Sequence, residues 1–135
     1  WRISMNVLHI DNDSHSIGLV KKVLDESSDR KNNSLVQCGD WFDVKNHLKV
    51  DKNYDLIFIN LNLPIFDGFT IYQMLVKIYQ IPKENIYFLQ GSCNNIYSID
   101  VNRPILGNPL NIKVLRKLIK RKEVKASENK TLCLN

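Results

Sequence analysis

Residues 54–68 read Tyr54-Asp55-Leu56-Ile57-Phe58-Ile59-Asn60-Leu61-Asn62-Leu63-Pro64-Ile65-Phe66-Asp67-Gly68. The run from Tyr54 to Ile59 is dense in β-formers and apolar on both faces, the pattern of a buried strand in a parallel sheet. Leu63 to Gly68 is loop and turn, and a helix follows with Phe69, Tyr72, Leu75, Val76 and Tyr79 on one side. The same alternation extends in both directions. Upstream, Asn6-Val7-Leu8-His9-Ile10 reads as a short buried strand ending at Asp11-Asn12-Asp13. Ser14 then caps a helix that carries Ile17, Val20 and Leu24 inward. Leu35-Val36-Gln37-Cys38 is a weaker strand, and Asp40 caps a helix through Trp41, Val44 and Leu48. Downstream, Ile86-Tyr87-Phe88-Leu89 is a buried strand ended by Gln90-Gly91-Ser92. Cys93 to Asp100 has room only for a short helix, and Pro104-Ile105-Leu106 is a brief last strand. Leu110 to about Lys122 forms an amphipathic helix with Ile112, Leu115 and Ile119 inward. A β-α unit repeated five times implies a parallel sheet covered on both faces and joined by right-handed crossovers.

The 135 residues suit one domain, and a 44% hydrophobic share excludes a wholly disordered chain. No apolar run approaches the ~18 residues of a membrane helix, and no signal-peptide pattern opens the chain. Trp1 is not a natural start, so the chain reads as a fragment or processed product, with Met5 a candidate native first residue. Cys38, Cys93 and Cys133 lie far apart without a C-x-x-C pair, which argues against a disulfide framework or a zinc site and leaves a reducing cytoplasm as the expected compartment. Residues 111–130 carry eight Lys/Arg against two Glu, while the whole chain is only +5, so the basic character belongs to the C-terminal end. The first strand ends in Asp-Asn-Asp instead of a glycine-rich loop, which argues against a dinucleotide site of the G-x-G-x-x-G type.

In an open parallel sheet the chemistry lies at the carboxyl ends of the strands. Those ends are Asp11-Asn12-Asp13, Asn60, Gln90-Gly91 and Asn108-Pro109. In these residues, and above all in Tyr54 to Gly68, the chain resembles the receiver domain of two-component response regulators from about Asn6 to Lys122. The resemblance implies a flavodoxin-like, doubly wound (βα)5 three-layer sandwich with a five-stranded parallel sheet in the order 2-1-3-4-5. It divides the chain into residues 1–5, an N-terminal extension or the start of the first strand; 6–122, the receiver-like domain; and 123–135, a tail or linker. It also implies a chemistry. An aspartate after the third strand accepts a phosphoryl group from a histidine kinase, and an acid pair after the first strand holds Mg²⁺. A Thr or Ser after the fourth strand and a Lys after the fifth bind the phosphoryl oxygens. The acceptor must be an ionised carboxylate, Mg²⁺ prefers hard charged oxygens, and the lysine faces accumulating negative charge.

This sequence departs from that set at nearly every point. Asn60 occupies the phosphoacceptor position, Asp11 and Asn12 the acid-pair positions, Gln90 the Thr/Ser position and Asn108 the lysine position. Pro109 keeps the x-Pro bond that is cis in the family, and Ile105 lies where a Tyr or Phe is common. A carboxamide is a poor nucleophile, so no acyl phosphate is expected at Asn60. With one of two acid-pair charges missing, Mg²⁺ binding is expected to be weak or absent. Losing acceptor and lysine together lowers the number of partly buried charges needing compensation, so the pocket reads as neutral and hydrogen-bonded. Asn drift from biased composition leads to the same lost chemistry. The stretch from Gln90 to Asn108 is about one helical turn short, which weakens the dimer surface that receivers build on their fourth helix.

The expected function is therefore a pseudo-receiver: a non-enzymatic signalling module of a two-component pathway, acting by contact with a protein partner such as a histidine kinase, an output domain or another regulator. No small-molecule substrate and no membrane are expected. One alternative is a working receiver with a displaced acceptor, Asp11 or Asp13. Another is a nucleic-acid-binding domain acting through the basic helix, although that helix lacks interleaved aromatics and a solvated face is the commoner meaning of such a run. His9 and His47 invite a phosphorelay or metal reading, but neither has a ligand-spaced companion in the sequence. His15 reads as helix surface, and Ser92-Cys93 as loop. Asp11 with Asp13 reads as turn capping before cation binding.

Overall fold

The computed structural model describes residues 5–26, 33–90, 104–106 and 111–134, with side chains as far as Lys125. Five strands form one parallel sheet: β1 (Asn6–Ile10), β2 (Ser34–Cys38), β3 (Leu56–Asn60), β4 (Ile86–Leu89) and β5 (Ile105–Leu106), in the order β2-β1-β3-β4-β5. Four helices are described: α1 (Ser14–Asp25), α2 (Trp41–Leu48), α3 (Gly68–Lys77) and α4 (Ile112–Leu134). A single 3₁₀ turn, Lys83–Asn85, leads into β4. This is the expected flavodoxin-like, doubly wound topology. The short helix expected over Cys93 to Asp100 lies outside the described residues.

Alternation along the strands divides the core in two. Leu8, Ile10, Ile57, Ile59 and Phe88 pack with Trp41, Val44 and Leu48 of α2 and Ile71 and Leu75 of α3. Val7, Leu56, Phe58 and Leu89 pack with Val20, Val23 and Leu24 of α1 and Leu115, Leu118 and Ile119 of α4. β3 is buried along its whole length, as its unbroken apolar run requires. The register sets Leu8 opposite Val36 and Ile57, and His9 opposite Gln37 and Phe58.

Several local expectations change. Asp13, not Ser14, is the N-cap of α1; its backbone is extended and its N–H is held by Asp11 Oδ1 at 2.9 Å, so the helix starts at Ser14. In α3 the fully buried face is Ile71 and Leu75, while Phe69, Tyr72 and Val76, with Tyr79 beyond the helix end, pack half-buried around it. α4 continues to Leu134 rather than ending near Lys122, because residues 112–134 contain no Gly or Pro to stop a helix. Lys122 is not part of a solvated face. It is buried, its Nζ donates to the Glu84 carbonyl at 3.0 Å and lies 5.6 Å from the Tyr87 ring centroid, tying α4 to the turn before β4.

The turn after β3 brings α3 tightly against the strand end. Gly68 N–H donates to the Leu61 carbonyl at 3.1 Å, and a Cβ at Gly68 would collide with the Asn60 carbonyl oxygen. Both neighbours are backbone and cannot swing aside. Gly68→Ala is expected to destabilise the fold by about 1–3 kcal/mol, as overpacking of a close contact does. Urea unfolding measures this, and an unchanged midpoint would contradict the close approach.

Candidate functional site

The carboxyl ends of β1 and β3 bring Asp11 and Asn60 together. Both are almost fully buried, at 2% exposure each. Asn60 Nδ2 donates to Asp11 Oδ1 at 2.7 Å. Its Oδ1 accepts the Asn62 backbone N–H at 2.9 Å, which fixes the amide orientation from both ends. The Asp13 N–H donates to the same Asp11 oxygen at 2.9 Å. Asp11 Oδ2 pairs with His9 Nε2 at 2.9 Å. Behind it, Gln37 Nε2 donates to the Ile17 carbonyl at 3.0 Å and contacts His9 Nδ1 at 3.2 Å. His9 thus stands between the two, its Nε2 against the Asp11 carboxylate and its Nδ1 against the Gln37 amide.

The buried Asp11 carboxylate thus has three donors from three segments. Burial alone pushes the Asp11 carboxyl up. Hydrogen bonds from His9, Asn60 and the Asp13 backbone, with the charge of His9, outweigh it and hold the group below its ordinary value. An amide at position 60 suits this arrangement because it can donate. A carboxylate there would face Asp11 with a repulsion on the order of 4 kcal/mol between charges about 4 Å apart at an effective dielectric near 20.

Of the residues expected at the site, Asp11 and Asn60 meet directly. Asn12 is exposed and makes no contact with Asn60 among those described. Asp13 joins through its backbone, while its carboxylate accepts the Ser16 hydroxyl at 2.9 Å. Gln90 lies one residue beyond Leu89, the register partner of Asn60, and its N–H donates to the Leu106 carbonyl at 3.3 Å. It is therefore at the same sheet edge. Asn108 and Pro109, with the expected cis bond, lie outside the described residues. The side-chain nitrogen of Asn62 is buried without a hydrogen bond among the described residues.

His9 is the functional neighbour that the sequence reading passed over. The signal was available: residues two apart on a strand share a face, so His9 and Asp11 had to project together. His47 also differs from expectation. Its Nε2 lies 3.7 Å from Asp43 Oδ1 one helical turn earlier, and the turn after β2 adds Cys38 to this pair. The ligand atoms of Cys38, Asp43 and His47 all lie within 4.8 Å of one another.

Two outcomes test the Asp11 geometry. A carboxyl held below its ordinary value contributes stability above the unfolded-state value of 3.8, and that contribution is lost as pH falls through the still lower folded value. The stability advantage of the native protein over Asp11→Asn should therefore be constant near neutrality and shrink only below about pH 4 in urea titrations. Asn60→Asp should cost on the order of 4 kcal/mol at pH 7 and recover toward pH 5, as one carboxyl of the new pair takes a proton. Equal melting temperatures for that variant at the two pH values would contradict the contact.

No protein-family model matches the chain, and no curated protein matches it significantly in sequence. Solved structures do match. Chemotaxis response regulator CheY4 of Vibrio cholerae is 18% identical with a TM-score of 0.68, covering 88% of this chain and 98% of that one. A two-component response regulator from Clostridium difficile is 24% identical with a TM-score of 0.67, covering 87% and 94%. The signal receiver domain of a DNA binding response regulator from Colwellia psychrerythraea 34H is 21% identical with a TM-score of 0.66, covering 87% and 96%. The strand order, the two helical layers and these structures agree: the chain has the fold of response-regulator receiver domains.

Proposed function

We propose that this chain is a receiver-type signalling module of two-component signal transduction that works without aspartyl phosphate. The observation that carries the reading is the Asn60–Asp11 hydrogen bond at 2.7 Å, in place of a reactive carboxylate. The carboxamide oxygen has no full charge and already accepts the Asn62 N–H, and the amide nitrogen is committed to Asp11. Neither atom attacks phosphorus. A magnesium ion would find one carboxylate, whose oxygens are engaged by three donors, instead of several open charged ligands. The module therefore has no enzymatic step and no Mg²⁺ requirement, and a protein partner sets its state: a histidine kinase, an output domain or another regulator.

A displaced acceptor is a weaker reading. Asp11 is buried behind its donors, and Asp13 accepts the Ser16 hydroxyl. Nucleic-acid binding by α4 is also weaker, because Arg116 pairs with Glu26 at 2.8 Å and Lys122 is buried.

Incubation with acetyl phosphate and Mg²⁺, or with beryllofluoride and Mg²⁺, tests the proposal by intact mass and amide NMR. The expected result is no phosphoryl adduct and unchanged shifts at residues 11–13 and 60–62. An adduct would overturn it, and mapping the adduct to Asp11 or Asp13 would establish the displaced acceptor.

A further inference from the structure

Cys38 closes β2, and after the Gly39-Asp40 turn Asp43 and His47 lie one turn apart on α2. The Asp40 side chain accepts the Asp43 N–H at 3.0 Å, which fixes the first turn of α2 and so the direction of Asp43. We propose that Cys38, Asp43 and His47 form a binding site for a borderline-soft divalent metal ion of the zinc class.

Three arguments support this. The first is distance. His47 Nε2 and Asp43 Oδ1 are 3.7 Å apart, and all three ligand atoms fall within 4.8 Å. Bond lengths near 2.0–2.3 Å place the ligand atoms of a tetrahedral zinc roughly 3.3–3.8 Å apart, so closure needs only small side-chain movement. The second is donor chemistry. One sulfur, one imidazole nitrogen and one carboxylate oxygen suit zinc or cobalt and disfavour magnesium and calcium, which take oxygen alone. The third is access. Cys38 is buried, but His47 and Asp43 are 43% and 48% exposed, so an ion can enter from the α2 side and keep a fourth position for water.

Without metal, burial pushes the Cys38 thiol up to about 12, helped by the nearby Asp43 and Asp40 carboxylates. Metal entry replaces that proton: the S–H bond breaks, the sulfur electron pair goes to the ion, and the proton leaves to solvent. The site stands apart from Asn60, and the inference does not rest on the signalling function. It does adjoin the pocket through the backbone, since the Cys38 carbonyl accepts the Asp11 N–H at 2.9 Å.

The test uses the full chain with Cys93→Ser and Cys133→Ser, so that Cys38 is the single thiol. Co²⁺ titration should give a thiolate-to-cobalt charge-transfer band that saturates at one equivalent and is displaced by Zn²⁺. The band should vanish in Cys38→Ser, and apparent affinity should fall at least about tenfold in His47→Ala and in Asp43→Asn, as expected when one ligand of a small set is lost. His47 and Asp43 are half-exposed, so these two variants report on the site even if Cys38→Ser unfolds. No band in excess cobalt overturns the proposal. So does a band that survives Cys38→Ser, or one indifferent to both His47→Ala and Asp43→Asn.

Discussion

The hydrogen bond from Asn60 Nδ2 to Asp11 Oδ1 closes the carboxyl edge of the sheet around one buried negative charge. An isolated buried carboxylate is costly unless donors surround it. Here the donors come from β1 through His9, from the turn through Asp13 and from β3 through Asn60. Gln37 of β2 and the Ile17 carbonyl of α1 complete the chain of contacts behind His9. Three adjacent strands and the first helix are thus braced through a single carboxylate. A network of this kind is stable when every member is satisfied and fragile when one is not. The Asp11 carboxylate is the acceptor at its centre, with His9, Asn60 and the Asp13 backbone set against it.

That arrangement constrains how the proposed module can signal. A pocket that gains charge on phosphorylation carries its own driving force for a change of shape. A pocket whose donors and acceptors are already matched has none, and its conformational balance moves only by the differential affinity of something that binds. Protein contact is the remaining source of such affinity in the proposed function. The surfaces available for it are the ones the chain leaves uncovered outside the edge network, such as Phe42 and Ile65, both exposed and apolar.

Much of this was legible in the sequence, and for identifiable reasons. The unbroken apolar run Leu56–Ile59 and the alternation of strands with amphipathic helices fixed the layers, and Asp40 caps α2 as its place before an apolar face suggests. The meeting of Asp11 with Asn60 followed from placing both at strand ends. What stayed hidden depends on packing across elements. The His9–Asp11 pair needed only the two-residue strand repeat, but the contact of His9 with Gln37 comes from a neighbouring strand. Cys38 meets Asp43 and His47 only after the Gly39-Asp40 turn folds α2 back over the end of β2. Lys122 looked like one more surface cation, yet the turn at Glu84 supplies a carbonyl that draws it inward. Intrinsic helix propensity carried α4 past the point where its apolar periodicity stops.

The residues that agree with the receiver pattern and those that depart from it differ in physical role. Gly68 meets a steric demand, since the Asn60 carbonyl leaves no room for a Cβ. Asp67 meets a helix-end demand, accepting the Thr70 N–H at 2.8 Å. Both serve the path of the chain, whatever chemistry the pocket performs. The resemblance sets positions 11, 12, 60 and 108 where a receiver reaction needs formal charge, and the last three of these are Asn here. Asn60 keeps the size of an aspartate and a local acceptor oxygen while converting the facing oxygen into a donor. An Asn at this position therefore holds the turn through Asn62 N–H and is attracted to Asp11. In the proposed function, mechanical requirements and ionic requirements are separable in this fold, and the chain satisfies the first set without the second.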